Sequence, residues 1–172
     1  LIKKQSIQKE LFLEDDYRTQ IQDNNQRIYY PSNDKTLFKI NQKFRILSKN
    51  LHKDEKSINT KGRAFKIQNY YDGLARFNFK ELCDQNLGAE DYLNIAQICN
   101  HIFIEEVPVF NDNNSNQQLR FITLIDILYE KKITLTLSME SDLSTIGTSK
   151  KHSEVFKRTK SRLHEMTASK IS

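Results

Sequence analysis

The sequence predicts a mixed α/β fold: a βαβ unit with flanking helices, plus an antiparallel β-meander. His101–Val107 is a mostly apolar run that ends before a proline, as a buried strand does. Arg120–Ser138 begins with apolar residues at helical spacing and ends with apolar and hydroxyl side chains in alternation. A strand, a helix and a second strand in this order favour a parallel pair joined by a right-handed crossover. Residues 57–79 alternate around two turn signals and predict the meander.

Charge is concentrated at one end of the chain. The 172 residues carry 27 Lys and Arg against 22 Asp and Glu, a net charge of +5. Residues 150–172 hold seven of these basic side chains and two acidic ones, so the excess belongs to this segment. A basic segment of this kind is typical of contact with nucleic acid, a nucleotide phosphate or an acidic partner. The alternative is a helix face that is simply solvated.

The sequence predicts a chain with reduced cysteines and without a membrane span. No apolar run approaches the ~18 residues of such a span, and LIKKQSIQ at the start lacks the apolar core of a secretory signal. Cys83 and Cys99 have no C-x-x-C spacing, which predicts buried thiols rather than a metal site. Because the chain starts at Leu1 rather than at a methionine, we expect a compact fragment of a longer protein. It divides into a strand-rich and helical region over 1–100 and the βαβ unit with a basic helix over 101–172.

The first third of the chain predicts short strands followed by one helix. Residues 7–30 suggest two or three strands, the last of them RIYY before a proline. Ser32 or Asn33 is a suitable N-cap for a helix over about 34–49. The predicted buried face of this helix consists of apolar residues at helical spacing, namely Leu37, Ile40, Phe44 and Leu47. A polar link over 50–56 follows.

Two turn signals organise the meander, one at Lys61-Gly62 and one at Asp72-Gly73. The first strand is predicted to begin at about Ile58, and the return strand to carry on one face Ala75, Phe77 and Phe79. A short helix over 80–85 and a second helix over 91–99 come next. The second helix is predicted to turn inward Tyr92, Ile95, Ala96 and Cys99.

A strongly polar loop over 110–118 follows the first strand of the βαβ unit at its carboxyl end. Ligands of open α/β sheets usually bind at that edge, so we expect a site beside this loop. The helix after it presents one apolar face of Phe121, Leu124, Ile125 and Leu128. A loop over 139–149 then precedes the last helix. This helix is predicted to open at Ser153 and to carry inward Phe156, Thr159, Leu163 and Met166.

Glu105 and Glu106 are the candidate metal ligands. A P-loop ATPase places its magnesium and water-activating carboxylates at the carboxyl tip of an apolar strand, which is where these two residues lie. However, no phosphate loop of the form G-x-x-x-x-G-K-[ST] occurs among the 172 residues. The alternative interpretation is a strand-end pair that faces solvent or bonds a neighbouring arginine.

Arg158 and Arg162 are the candidate anion-binding residues, because they lie four apart on one helix face and guanidinium groups suit phosphate and carboxylate. Arg120, at the start of the central helix beside the polar loop, is the third candidate. The alternative is local pairing of Glu154 with Arg158 and of Arg162 with Glu165. No residue is assigned a catalytic role, because the sequence offers no Ser-His-Asp or Cys-His arrangement.

Several short motifs together resemble one family. In chain order they are DYR at 16–18, YP at 30–31, GR at 62–63, FNFKELC at 77–83, DYL at 91–93, VP at 107–108, RFITLIDILY at 120–129 and FKRTKSRLHEM at 156–166. Their order and content resemble the C-terminal part of the ZapE-type and AFG-like AAA+ ATPases. This family comprises bacterial cell-division ATPases and a mitochondrial branch.

The resemblance implies that the intact protein is a P-loop ATPase, which binds ATP and Mg²⁺ through motifs upstream of Leu1. The fragment alone is then expected to bind neither and to be inactive. Arg158 and Arg162, followed by Arg120, would take a nucleotide-sensing or subunit-contact role. The resemblance also implies cell-division proteins as partners, homo-oligomer contacts, and a cytoplasmic location, or a mitochondrial one for the eukaryotic branch.

Two other interpretations stay open. The chain could be a non-catalytic module for protein interaction or oligomerisation, or a weak nucleic-acid-binding domain that uses its basic tail. Nucleic acid is the less expected partner, because the tail has one aromatic side chain, Phe156, and so offers no stacking platform.

Overall fold

A six-stranded mixed sheet organises the structure, in the order β1-β6-β5-β4-β3-β2. β4, β5, β6 and β1 are parallel, whereas β3 is antiparallel to both β2 and β4. The predicted α/β class, its parallel βαβ pair and its antiparallel meander are thereby confirmed. The strands are Ile28–Tyr29 (β1), Lys53–Thr60 (β2), Arg63–Tyr71 (β3), Leu74–Asn78 (β4), His101–Val107 (β5) and Thr134–Met139 (β6).

This computed structural model describes residues 25–168, of which Arg27–Ala168 form one compact unit. Strands from both sides of residue 100 share the sheet. The strands predicted over 7–24 lie outside the described residues. Within the described range no helix has both the length and the apolar character needed to cross a membrane. The helices are Asp34–Ser48 (α1), Phe79–Cys83 (α2), Ala89–Ile98 (α3), Ser115–Glu130 (α4) and Ser153–Thr167 (α5), with a 3₁₀ turn at Asp112–Asn114.

The main hydrophobic core lies between one face of the sheet and α2, α3, α4 and α5. Four phenylalanine rings meet there at centroid distances of 5.4 to 5.9 Å and join α2, α4 and α5 to the loop after β5. They are Phe79, Phe110, Phe121 and Phe156. The predicted inward faces of α3 and α4 are confirmed, and both cysteines are buried free thiols. On α5, Phe156, Thr159 and Leu163 are buried as predicted, whereas Met166 is half-buried.

The opposite face of the sheet is covered by α1, whose N-cap is Asn33 as predicted. Ile40 and Phe44 pack against Phe103 there, and the rings of Phe44 and Phe103 meet edge to face at 5.2 Å. The predicted burial of Leu37 and Leu47 is wrong, since these side chains are 46% and 39% exposed. Thr36 and Lys43 are buried instead. The buried face of α1 therefore includes polar residues, which a prediction from hydrophobic periodicity does not count.

Several boundaries also differ from the predictions. β2 begins at Lys53, within the predicted polar link, because charged residues form an edge strand without burying a face. Phe79 opens α2 rather than ending β4, since the Asn78 side chain caps that helix. α4 begins at Ser115, which shortens the predicted polar loop. The start of α5 at Ser153 agrees with the prediction.

Candidate functional site

Four parallel strands end at one edge of the sheet, where open α/β sheets usually bind ligands. Glu105 and Glu106 lie at this edge near the end of β5, beside Ser138 of β6 and the first turn of α1. A cavity of about 200 Å³ opens among these groups. The cavity lies at the predicted edge of the sheet, but it is lined by the start of α1 and not by the loop over 110–118, beside which a site was predicted.

Glu105 is held by an arginine. The Arg76 guanidinium donates from Nε and Nη2 to the two Glu105 carboxylate oxygens at 2.5 and 2.7 Å. The side chains of Arg76 and Glu105 are 19% and 12% exposed, so the pair is largely shielded from water. Arg76 also donates to Asn41 of α1 at 2.6 Å and lies over the Phe44 ring. Both carboxylate oxygens of Glu105 are thus committed to a structural ion pair.

Glu106 has an unusual backbone conformation, with φ of 60° in the left-handed region. The pairing of β5 with β6 shifts register between Ile104 and Val107, and Glu106 lies in that irregular segment. Its N–H donates to the Ser138 hydroxyl at 2.8 Å, and its carboxylate accepts a hydrogen bond from Asn78. A strained residue at a strand end is a feature that neither alternation nor composition reveals.

These residues do not fit a magnesium–nucleotide site by themselves. Asp34, Glu105 and Glu106 border the cavity with no lysine or arginine among its lining residues, so phosphate groups would be repelled. Within residues 25–168 no group of three or more His, Cys, Asp or Glu side chains is arranged to hold a metal ion. A phosphate-binding loop, which the 172-residue sequence lacks, would have to supply the cradle.

Arg158 and Arg162 come together on Asp126 of α4. Arg162 Nη1 donates to one Asp126 oxygen at 2.6 Å, and Arg158 Nη2 donates to the other at 3.0 Å. The predicted local pairs with Glu154 and Glu165 are replaced by this interhelical cluster. Packing of α5 on α4 brings a carboxylate to the two guanidinium groups, so the arginines bond across the helix interface rather than along α5.

The two arginines differ in their surroundings. Arg162 is 20% exposed in its side chain, lies 4.6 Å above the Tyr129 ring and is 3.8 Å from a Glu130 oxygen. The Tyr129 hydroxyl in turn donates to Glu165 at 2.9 Å. The side chain of Arg158 is 57% exposed and donates a hydrogen bond to Asp126. Arg158 therefore retains donors that can reach a ligand, whereas Arg162 is largely enclosed.

Arg120 bonds a different element. It lies in the second turn of α4 and donates from Nη1 to the carbonyl oxygen of Cys83, at the end of α2, at 3.2 Å. A cation at a helix C-terminus interacts favourably with the helix dipole. Arg120 thus joins α2 to α4, and its contact is separate from the Asp126 cluster.

The sequence interpretation missed a polar group on the α1 face of the sheet. His101 Nε2 lies 2.9 Å from the Thr136 hydroxyl, and Lys43 lies over the Tyr29 ring. Burial, Lys43 and Arg27 lower the pKa of His101 to about 4. Burial and Arg27 lower the pKa of Lys43 to about 8. The hydroxyls that alternate with leucines in β6 were the available signal for a second buried face.

Comparison with known proteins identifies the family of this chain. The model of the AFG1-like ATPase family matches residues 13–172. Lactation elevated protein 1 homolog B of Danio rerio is 34% identical over 89 residues, which are 52% of this chain and 18% of that protein. Cell division protein ZapE of Escherichia coli K12 is 30% identical over 89 residues, 52% of this chain and 24% of that protein.

An uncharacterized protein of Schizosaccharomyces pombe is 30% identical over 95 residues, 55% of this chain and 20% of that protein. The matched part therefore spans about a quarter or less of the length of these curated relatives. No solved structure matches the chain significantly. Because the family model covers nearly the whole sequence, this chain belongs to the AFG1-like ATPase family.

Proposed function

We propose that this chain is the C-terminal part of an ATP-hydrolysing protein whose phosphate loop lies upstream of Leu1. The observation that carries the proposal is the AFG1-like ATPase match over residues 13–172 in a chain without a phosphate loop of its own. ATP and Mg²⁺ would be bound by the upstream motifs. The chain alone would be inactive, because its strand-end carboxylates are committed to Arg76 and Asn78 and face no phosphate cradle.

Within this proposal Arg158 is the residue that senses nucleotide or contacts a neighbouring subunit. Its guanidinium is more than half exposed and is anchored on one side by Asp126, an arrangement that presents the remaining N–H donors outward. Arg162 then has a positioning role, since it holds Asp126 from the enclosed side of the cluster. Arg120 is the third candidate, acting through α2.

The partners and location follow from the same family. The E. coli relative is named as a cell division protein, and we therefore expect cell-division proteins as partners, together with a homo-oligomer. The cytoplasm is the expected compartment, or the mitochondrion for a eukaryotic source. Nucleic acid is less favoured, because Phe156, the single aromatic side chain of the basic helix, is buried and offers no stacking surface.

Mutation of Arg158 tests the assignment in the intact protein. We expect Arg158→Ala to lower ATP turnover by at least about tenfold, because arginines that stabilise a transferring phosphate contribute large factors to the rate. Lys157→Ala is the matched control: it removes an exposed cation from the adjacent position and breaks only a surface pair with Glu154. Normal turnover in Arg158→Ala would refute the role of Arg158. No ATP turnover by the intact wild-type protein would refute the ATPase proposal itself.

A further inference from the structure

The hairpin of β2 and β3 extends past the rest of the sheet. β3 has nine residues, but β4 pairs only with its last three, Asn69–Tyr71. Residues 63–68 therefore have β2 on one side and, within the described part of the chain, no strand on the other. We call this stretch of β3 the free β3 edge. It belongs to an inner strand of the sheet, yet it lacks a neighbouring strand on one side.

The register of the hairpin shows which backbone groups are unpaired. Thr60 and Arg63 flank the two-residue turn and form the first hydrogen-bonded pair, so pairing with β2 alternates from there. The N–H and C=O groups of Ala64 and Lys66 consequently point away from β2. Within residues 25–168, β4 does not pair with Ala64 or Lys66, and no turn or loop hydrogen bond of the backbone involves these two residues. The free β3 edge thus offers two sets of donors and acceptors, at Ala64 and Lys66, to an added strand.

A cleft of about 650 Å³ runs along this edge. Its opposite wall is formed by α2, by the connection from α2 to α3 and by the first turn of α3, at residues Glu81, Gln85, Asn86, Leu87 and Asp91. Arg63 crosses one end, where it bonds the Asn86 carbonyl and, at 3.2 Å, the Asp91 carboxylate. The unpaired groups therefore line a groove.

The outer edge of β2 differs from the free β3 edge. It carries the charged run Lys53–Lys56, and the pairing of β2 with β3 is irregular there. Charged side chains and bulges are devices that prevent an edge strand from adding another chain. On the free β3 edge the pairing with β2 is regular from Arg63 to Ile67. A strand would therefore add to β3 in preference to β2.

The walls of the cleft indicate what enters it. A second folded copy would bring a strand together with its neighbours, which the wall from Glu81 to Asp91 obstructs, whereas a single extended segment brings one strand. Phe65 and Leu87 offer half-buried apolar surface. Among the described residues Glu81 has no cation within ion-pair distance, and burial raises its pKa. An apolar side chain and a basic one complement these two features.

We propose that the cleft binds an extended segment of a partner protein by strand addition to β3 at Ala64 and Lys66. An apolar side chain of the segment packs on Phe65 and Leu87, and a basic side chain meets Glu81. Backbone hydrogen bonds supply affinity, and alternate side chains supply selectivity. This partner-binding site goes beyond ATP hydrolysis and does not depend on it, since the cleft residues are distinct from the Asp126 cluster.

Binding of a synthetic peptide to the 172-residue chain tests the proposal. The probe is a fluorescein-labelled hexapeptide, Thr-Lys-Thr-Val-Thr-Val, which places lysine and valines on one face of a strand. The control peptide carries N-methyl groups on every amide, so it keeps the side chains and loses its backbone donors. We expect saturable binding of the probe, measured by fluorescence anisotropy, and none of the control peptide.

Two proline variants locate the binding. Lys66→Pro removes an N–H that points into the cleft, and Ser57→Pro removes the N–H that faces outward on β2, because Ser57 and Lys66 form a non-hydrogen-bonded pair. We expect Lys66→Pro to raise Kd by about tenfold, the effect of one lost hydrogen bond. Lys66→Ala and Ser57→Pro should leave Kd within a small factor of the wild-type value.

Circular dichroism melting verifies that each variant is folded. Lack of saturable probe binding up to about 1 mM, the limit of a specific weak complex, would overturn the proposal. Equal binding of the N-methylated peptide, or equal loss in Ser57→Pro and Lys66→Pro, would overturn it as well. A folded Lys66→Pro variant with unchanged affinity would place the peptide elsewhere and reject the free β3 edge.

Discussion

His101 is a titratable side chain in surroundings that disfavour its charged form. It is largely buried between the sheet and α1, its ring nitrogen bonds Thr136, and the nearby charges of Lys43 and Arg27 are positive. These causes lower its pKa from 6.5 to about 4. The unfolded chain therefore binds a proton at a higher pH than the folded one does, and acid favours unfolding through this residue.

The expected consequence is a stability loss between pH 6.5 and pH 4. Above pH 6.5 both states are neutral at His101, and by pH 4 the linkage costs the fold about 3 kcal/mol. Replacing His101 by Gln should remove this part of the pH dependence, as measured by urea unfolding at a series of pH values. His52→Gln, at an exposed position, is the control. Identical pH profiles for His101→Gln and the wild-type chain would contradict the assignment.

At the scale of single residues the sequence identified site candidates but not their partners. The spacing of Arg158 and Arg162 placed them on one face correctly, yet their shared carboxylate comes from Asp126, more than 30 residues away. Likewise, Glu105 bonds Arg76, a residue with no sequence signal for the site. Spacing along one element reports neighbours on that element, whereas ion pairs between elements depend on packing that no local pattern contains.

The segment between β6 and α5 shows how an irregular element is fixed. Gln118 of α4 is buried, and its side-chain oxygen accepts hydrogen bonds from the Ser149 N–H and hydroxyl at 3.0 and 2.7 Å. Phe110 donates its N–H to Ile146, and it forms a strand-like bridge with Gly147. The predicted loop thus packs against the βαβ unit through buried hydrogen bonds.

Gly147 is the position of this segment at which an added side chain is least tolerated. Its φ is +74°, and a Cβ built there would lie 2.6 Å from the Phe110 carbonyl oxygen. We expect Gly147→Ala to destabilise the fold by at least about 2 kcal/mol, from backbone strain plus a displaced strand-like bridge. Thermal and urea unfolding provide the measurement.

Gly62→Ala is the matched control for this substitution. Gly62 has a φ of +79°, similar to that of Gly147, but a Cβ there meets nothing within 4 Å. Its cost should therefore be the backbone strain alone, about 1 kcal/mol. Equal destabilisation by the two substitutions would mean that the contact with Phe110 adds nothing to the stability of the segment.

At the scale of elements the sequence predicted best where side chains alternate or repeat over many residues. α4 and α5 are long and strongly periodic, and their types were predicted correctly; β5 was predicted correctly from its apolar run. α1 was predicted as a helix with the right N-cap but with the wrong edge of its buried face, because Thr36 and Lys43 bury their aliphatic parts beside Ile40. Hydrophobic periodicity does not register polar residues that pack through carbon atoms.

At the scale of the molecule, the predicted and the observed architecture agree. Alternating strands and helices predict an α/β sheet, and the sheet observed is one. The strand-end edge carries a surface cavity, although the loop over 110–118 does not line it, and Glu105 there bonds an arginine, which was the alternative interpretation of the acidic pair. A nucleotide site would need backbone donors from outside this chain.

We propose that this chain is one part of a longer ATPase. The most direct test is the intact mass of the native gene product, together with its sequence upstream of Leu1. We expect a product at least twice as long as the 172 residues, with a G-x-x-x-x-G-K-[ST] loop ahead of Leu1. A native product of about the 20.3 kDa of this chain, with no such loop, would contradict it.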